Sequence, residues 1–188
     1  MTSNDITANA TPFWENGHYY SMSEKKYDWF NARSAAQGTN LNGLDGYLAT
    51  ITSSSENSFV HNYSRGGQEI DRTVYLAGND YENTSEGQWI WGDGPELGNQ
   101  ISYTNFSAGQ PDNRHNEDFL MMWTDGTWND LDSEGKNFDK YIGSHITEWG
   151  KEGAEHYVKF ANKGSGKNKN GIENIINPQL VLEFDKSI

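Results

Sequence analysis

The chain has 188 residues, enough for one domain with a buried core, and contains no cysteine, which excludes disulfides and thiolate zinc sites. Its formal net charge is −13, so its field repels nucleic acid and anionic membranes and attracts cations. It has no apolar run of roughly 18 residues, so no membrane insertion is expected.

Residues 1–16 are polar and largely unpatterned, and we predict that they form a leader or linker. They lack the basic and apolar regions of a signal peptide, so none is predicted. After them we find no internal repeat and no second boundary. Residues 17–188 are therefore predicted to form one domain.

The N-terminal half of this domain combines predicted strands with two predicted helices. An aromatic stretch at residues 17–22 indicates the first strand, and helical spacing of apolar residues indicates a helix over residues 26–37. Ser53 begins a run of N-cap residues before a second helix, which is expected to end near Gly66. Further strands are predicted at residues 47–51, 73–78 and 88–91. This order favours an α+β fold over a regular βαβ succession.

Residues 109–131 concentrate oxygen-donor side chains at the two ends of a short apolar strand, residues 119–123. A hard divalent cation such as Ca²⁺ prefers neutral and anionic oxygen ligands of this kind. If the strand pairs with the next one, both groups of donors lie at the same end of a sheet. We therefore hypothesise an oxygen-lined metal site among Gln110, Asp112, Asn113, Asn116, Glu117, Asp118, Asn129 and Asp130.

The order of several short motifs resembles that of the C-type lectin-like domain. The motifs are GYLATI followed by SSSEN, then YLAGND, EGQWIWGDG, QPDN, NEDFLMMW and TWNDL. They cover residues 17–131 and are most similar to the cysteine-free bacterial form found in extracellular proteins, including large calcium-dependent adhesins. The resemblance implies an α+β C-type lectin-like fold, with two helices packed on small antiparallel sheets and a long calcium-binding loop region.

In that family a Ca²⁺ ion in the long loop region coordinates two neighbouring hydroxyls of a sugar. The resemblance implies that the residues which hold this principal ion also contact the sugar, namely Gln110, Asp112, Glu117, Asn129 and Asp130. It also implies that the Gln110–Pro111 peptide bond is cis. The loop between QPD and ED is shorter than in vertebrate members, and there Arg114 and His115 are either further sugar contacts or plainly solvent-exposed.

The family often carries an auxiliary calcium ion as well. The resemblance places Asp80, Glu86, Asn113 and Asp118 near its position. Taken singly, each of these residues also fits an ordinary turn or a solvated acidic loop. Three tryptophans in the matched region, Trp89, Trp91 and Trp128, are expected to have structural roles.

The last strand of the family is usually a short apolar run that ends in an acidic–aromatic pair. Residues 145–149 and residues 180–184 both fit this description. We favour residues 180–184, which would pair with the first strand and make residues 132–178 an insertion or irregular region. If residues 145–149 close the sheet instead, the chain has a C-terminal extension.

The function implied by the resemblance is a calcium-dependent, carbohydrate-binding lectin module for cell-surface adhesion. Such a module would be extracellular and part of a larger multidomain chain. In vertebrate relatives QPD accompanies galactose-type sugars, but no aromatic residue follows it here, so galactose-, fucose- and mannose-type glycans all stay open.

Two other classes of function are alternatives, a protein- or ice-binding domain and an enzyme. The same fold can bind proteins or ice without sugar recognition, because a fold does not fix a function. An enzyme is not expected: Glu117 and Asp118 are adjacent, so on a strand they would face opposite sides, and no nucleophile with a suitably spaced base stands out.

Overall fold

A computed structural model of the protein describes residues 3–81, 85–132 and 144–151. Over these residues, short strands and helices alternate before the strands that flank the predicted metal site. In chain order they are α1 (Ser3–Ala8), β1 (Thr11–Phe13), β2 (His18–Ser23), α2 (Trp29–Gln37), β3 (Asn40–Leu41), β4 (Leu44–Leu48), α3 (Ser54–Tyr63), β5 (Val74–Asn79), β6 (Ile90–Trp91), β7 (Phe119–Met122), β8 (Trp128–Leu131) and β9 (Ser144–Trp149).

The strands form a mixed sheet in the order β1-β2-β9-β5-β7-β8. Neighbouring strands on this path are antiparallel, except that β5 and β9 are parallel. β4 also pairs with β9, and the short strands β3 and β6 pair with β4 and β5. β9 therefore lies inside the sheet, with β2 on one side and β4 and β5 on the other.

Both predicted helices are present, and local signals in the sequence explain where they begin. The Asp28 side chain accepts the backbone N–H of Asn31 at 2.8 Å and caps α2, and Ser53 caps α3 by accepting the N–H of Glu56 at 3.2 Å. On α2, Trp29 is fully buried, and its Nε1 donates to the carbonyl of Leu76 in β5 at 2.9 Å. The helices and the mixed sheet together make an α+β fold, as expected.

The hydrophobic core is rich in aromatic side chains. Trp29 lies 4.8 Å from Phe119 between ring centres, and Trp91 lies edge-on to Trp128 at 6.5 Å. Trp89, Trp91 and Trp128 are all buried, as expected for structural residues.

A group of buried carboxylates joins β2 to α3 and β9. The hydroxyl of Tyr20 contacts Oε1 of Glu56 and donates to Oε1 of Glu148 at 2.9 Å, while Oε2 of Glu148 accepts the N–H of Thr50 at 3.0 Å. Burial, together with the charge of Glu148, raises the pKa of Glu56 to about 7. Burial alone would lower the pKa of His18, but its hydrogen bond to Glu148 raises it overall.

The closing strand differs from the expectation. β9 takes the place beside β2 that was expected for residues 180–184, which lie outside the described residues. Residues 145–149 have the weaker apolar pattern because His145 and Thr147 stand where residues 180–184 have leucines, and β9 also carries Glu148 next to its last residue. This carboxylate is nevertheless almost fully buried, because Tyr20 and Thr50 donate hydrogen bonds to it. Residues 144–149 are thus part of the sheet, and not an irregular insertion.

Part of the predicted leader also belongs to the sheet. β1 pairs with β2 in the register Phe13 to His18, and Phe13 is buried with its ring stacked 4.7 Å from that of Phe59. The aromatic residue at the end of this polar segment explains the difference, because burying it favours the pairing. The packed part of the domain therefore begins before residue 17.

Candidate functional site

Pairing of β7 with β8 brings the two ends of the donor-rich segment together. The strands are antiparallel, and Phe119 at the start of β7 is opposite Leu131 at the end of β8. Glu117 lies two residues before β7, and Asp130 lies near the end of β8. The donors on both sides of the apolar strand therefore meet at one edge of the sheet.

Three carboxylates converge at this edge. Asp112, Glu117 and Asp130 each contribute one oxygen, and these oxygens lie within 4.8 Å of one another. Glu117 is 3% exposed and Asp130 is fully buried, while Asp112 lies on the surface. Ionised carboxylates at this spacing repel one another unless a cation or a proton lies among them.

Backbone hydrogen bonds hold the loop that carries Asp112 against β8. The carboxylate of Asp130 accepts the N–H of Asp112 at 3.2 Å and that of Asn113 at 2.6 Å. The side-chain oxygen of Asn113 in turn accepts the N–H of Glu117 at 2.8 Å. The Gln110–Pro111 bond is cis, as expected.

Two amide oxygens next to the carboxylates in sequence are buried without a hydrogen-bond partner. They are Oε1 of Gln110 and Oδ1 of Asn129, and neither finds a donor in the part of the chain that the structure describes. The other end of the Asn129 amide is used, because its Nδ2 donates to the backbone carbonyl of Asp130. A buried unpaired oxygen costs about 1–3 kcal/mol. Oxygen ligands of this type suit Ca²⁺, so the residues fit a calcium ion.

The pKa values of the buried carboxylates point to the same conclusion. Burial, together with the charges of Asp130 and Asp112, raises the pKa of Glu117 to about 7. Burial also raises the pKa of Asp130, although the N–H groups of Asn113 and Asp112 partly offset this. A cation at this position would stabilise the ionised forms that burial and mutual repulsion disfavour.

Three of the four residues considered for an auxiliary ion lie near one another. Asp80 is buried, with its Oδ2 accepting the N–H of Gly87 at 2.8 Å and its Oδ1 without a hydrogen-bond partner in the described parts. Burial raises its pKa to about 6, with a contribution from the charges of Glu86 and Asp118. Asn113 is not part of this group through its side-chain oxygen, since that atom accepts the N–H of Glu117.

Arg114 and His115 lie on the outer side of the same loop. Both side chains are exposed. The loop holds Arg114 through its backbone, because its N–H donates to Oδ1 of Asp112 at 3.3 Å. These side chains are therefore free of the contacts that fix the loop.

One residue near the site was not found from the sequence. Asn57 of α3 is 6% exposed, and its Oδ1 accepts the indole N–H of Trp128 at 2.7 Å, directly before the ligand candidates Asn129 and Asp130. The available signal was a polar residue on the buried side of a helix. Its partner lies 71 positions away in sequence, so helical periodicity alone could not identify it.

Comparison with known proteins gives consistent matches over this region. The sequence model of the family described as lectin C-type domain matches residues 25–138. Halomucin of Haloquadratum walsbyi is 32% identical over 132 residues, which is 63% of this chain but 1% of halomucin. The alpha-N-acetylgalactosamine-specific lectin of Patiria pectinifera is 33% identical over 135 residues, covering 64% of this chain and 71% of that lectin.

The comparison with solved structures confirms the expected C-type lectin-like fold. The C-type lectin CEL-I of Cucumaria echinata matches with a TM-score of 0.59 at 25% identity, over 76% of this chain and 95% of CEL-I.

Among the described residues, no helix is both long and apolar enough to cross a bilayer.

Proposed function

The chain belongs to the C-type lectin domain family, and we propose that it is a calcium-dependent carbohydrate-binding module. The principal ion would be held by five residues of the QPD, ED and WND motifs. They are Gln110, Asp112, Glu117, Asn129 and Asp130. The observation that carries this proposal is the convergence of three carboxylate oxygens within 4.8 Å, next in sequence to two buried amide oxygens without a partner.

The donor set explains how such a site would recognise a sugar. Calcium takes about 6–8 oxygen ligands, so the five residues leave room for further oxygens. A bound ion would supply a positive centre to which two neighbouring sugar hydroxyls coordinate. The carboxylates can accept hydrogen bonds from those hydroxyls, and the Gln110 amide can donate one.

The choice of sugar is open among galactose-, fucose- and mannose-type glycans. The Patiria relative is named for N-acetylgalactosamine, which makes galactose-type sugars the first ligands to test. Residues 113–116 contain no Phe, Tyr or Trp to stack on the apolar face of a sugar. We therefore expect weak binding of a monosaccharide, with a Kd of roughly 1 mM, and useful avidity only through several linked sites.

We also propose a weaker second calcium site near Asp80, Glu86 and Asp118. Its support is the buried Asp80 oxygen without a partner in the described residues, together with the neighbouring charges that raise the pKa of Asp80. Asn113 would contribute only if its side chain released the N–H of Glu117.

The family and the halomucin match support a proposal for the biological setting. Domains of this family bind ligands and are not enzymes. We propose an extracellular or surface-exposed adhesion module within a larger chain, which binds glycans on cell surfaces. The net charge of −13 fits this setting, because it disfavours binding to nucleic acid.

A glycan array, probed with calcium and again with EDTA, tests the function. We expect binding to a subset of glycans that EDTA abolishes and that Asp112→Asn loses. Asp45→Asn removes the same charge from the β3–β4 hairpin and should bind like the wild type. Binding that survives EDTA, or no binding to any glycan, would favour a protein- or ice-binding domain. Release of free sugar from oligosaccharides would indicate an enzyme.

A further inference from the structure

Helix α3 holds the turn that leads into β8. The side chain of Asn57 makes two hydrogen bonds there: its Oδ1 accepts the indole N–H of Trp128 at 2.7 Å, and its Nδ2 donates to the carbonyl of Gly126 at 3.0 Å. One helical turn later, Nε2 of His61 lies 2.7 Å from the carbonyl oxygen of Thr124. The turn is thus fixed to the helix at three points.

Trp128 connects this turn to the calcium-site residues in two directions. Along β8, the next residues are Asn129 and Asp130. On the segment of residues 107–110, the N–H of Ser107 donates to the carbonyl of Trp128 at 2.9 Å. The N–H of Gln110 in turn donates to the carbonyl of Ser107 at 3.0 Å. A displacement of Trp128 would therefore reach proposed ligands on both segments.

The Gly126 carbonyl is held from two sides. It accepts the Nδ2 of Asn57 at 3.0 Å and the Nδ2 of Asn105 at 2.8 Å. Asn105 also accepts the backbone N–H of Trp128 at 2.8 Å through its own carbonyl. Only a side chain that offers both a donor and an acceptor can make the two bonds of Asn57, which explains an amide at this buried position.

We propose that Asn57 is a positioning residue of the calcium site. It fixes the Trp128 indole and the Gly126 carbonyl, and thereby fixes the segment that presents Asn129 and Asp130 and supports Gln110. It touches none of the proposed ligands itself. The inference rests on the proposed calcium-binding function, and it adds a helix residue whose loss lowers calcium affinity in a folded protein.

The experiment is calcium titration of calcium-stripped protein by calorimetry at 25 °C, well below unfolding, together with melting curves in EDTA. We expect Asn57→Ala to weaken calcium binding by about 10-fold or more, as is typical when a group that orients metal ligands is lost. Asn62→Ala is the matched control, since it removes an exposed amide from the same helix, one whose Nδ2 donates to the carbonyl of Ser58. This control should change the Kd by no more than about 2-fold.

A second variant separates positioning from general loss of stability. Trp128→Phe removes the indole donor and keeps a buried aromatic ring. If both substitutions act through the same contact, their effects are not independent. The loss of calcium affinity in the double variant should then be far smaller than the product of the two single fold-losses. Should Asn57→Ala fail to fold, the single Trp128→Phe variant decides, with an expected weakening of several-fold.

The outcomes distinguish this inference from the function on which it rests. Wild-type protein that binds no calcium overturns both. Wild-type protein that binds calcium, with Asn57→Ala and Trp128→Phe binding it equally well, overturns the positioning role alone. Independent, multiplicative effects of the two substitutions also contradict it, because they would show that the Asn57–Trp128 contact carries no coupling.

Discussion

The carboxylate of Asp130 accepts the backbone N–H of Asn113 at 2.6 Å, so the strand that carries one proposed ligand also fixes the loop that carries another. This bond joins the WND and QPD segments even before an ion is considered. The two segments should therefore respond together when the charge at Asp130 changes.

The first prediction concerns the effect of calcium on stability. Binding to the folded state alone should stabilise the wild type by about 2.7 kcal/mol when calcium is at 100 times its Kd, so the melting temperature should be higher with calcium than with EDTA. Asp130→Asn should abolish the difference, because it removes a ligand charge. Melting curves with Asp45→Asn as control test this, and an Asp130→Asn protein that still responds to calcium would contradict it.

The second prediction concerns the buried, unpaired oxygen of Gln110. Gln110→Met keeps a similar volume and removes that oxygen, so in EDTA the free energy of unfolding should rise by about 1 kcal/mol. Calcium affinity should fall at least about 10-fold, because a proposed ligand is lost. Denaturant unfolding and calcium titration measure the two effects.

The control for Gln110 is a paired glutamine. Gln37 donates to Oδ1 of Asp93 at 2.8 Å, so Gln37→Met should destabilise the protein and leave calcium affinity unchanged. A loss of stability in both variants would show that the Gln110 oxygen is not an unsatisfied group.

The third prediction concerns pH and the buried carboxylate of Glu56. Its pKa is about 7 in the folded protein against an ordinary value of 4.5. Because the folded state favours the protonated form, this contribution to stability is fully present below pH 4.5 and is lost as pH rises through 7. The loss is about 3 kcal/mol.

Glu56→Gln should remove this contribution, because a neutral amide of similar shape replaces the carboxyl. Its free energy of unfolding in EDTA should fall less between pH 5 and pH 8 than that of the wild type, by about the same amount. Glu15→Gln, an exposed neighbour of Ser55, serves as control and should follow the wild-type profile. Identical profiles for wild type and Glu56→Gln would refute the prediction.

The fourth prediction separates sugar binding from ion binding. Arg114→Ala and His115→Ala should change glycan affinity by a few-fold and leave calcium affinity unaltered, because these side chains are exposed and Arg114 bonds within the loop through its backbone N–H. Calcium titration and glycan binding of the same samples test this. If calcium affinity falls as well, the side chains support the loop rather than contact the sugar.

The family and its fold could be inferred from the sequence because the relevant signals are local. Ser53 caps α3, a run of β-favouring residues marks β5, and hairpin pairing of β7 with β8 brings Glu117 to Asp130. Other features depend on partners that are distant in the chain. Glu148 looks unsuited to a buried strand until Tyr20 and Thr50 are placed beside it, and Asn57 gains its role only through Trp128. The side chain of Asn113 was assigned to an auxiliary ion, but its oxygen accepts the N–H of Glu117.

The position of β9 has a consequence for how the chain folds. β2 is made early and β9 late, yet Tyr20 pairs with Glu148, 128 positions away in sequence. Closing so long a loop slows folding, since its entropy must be lost before the contact stabilises anything. During synthesis, β2, β4 and β5 have to wait for residues 144–149 before the centre of the sheet can form. Completion of the described sheet therefore depends on β9, the last of its strands in chain order.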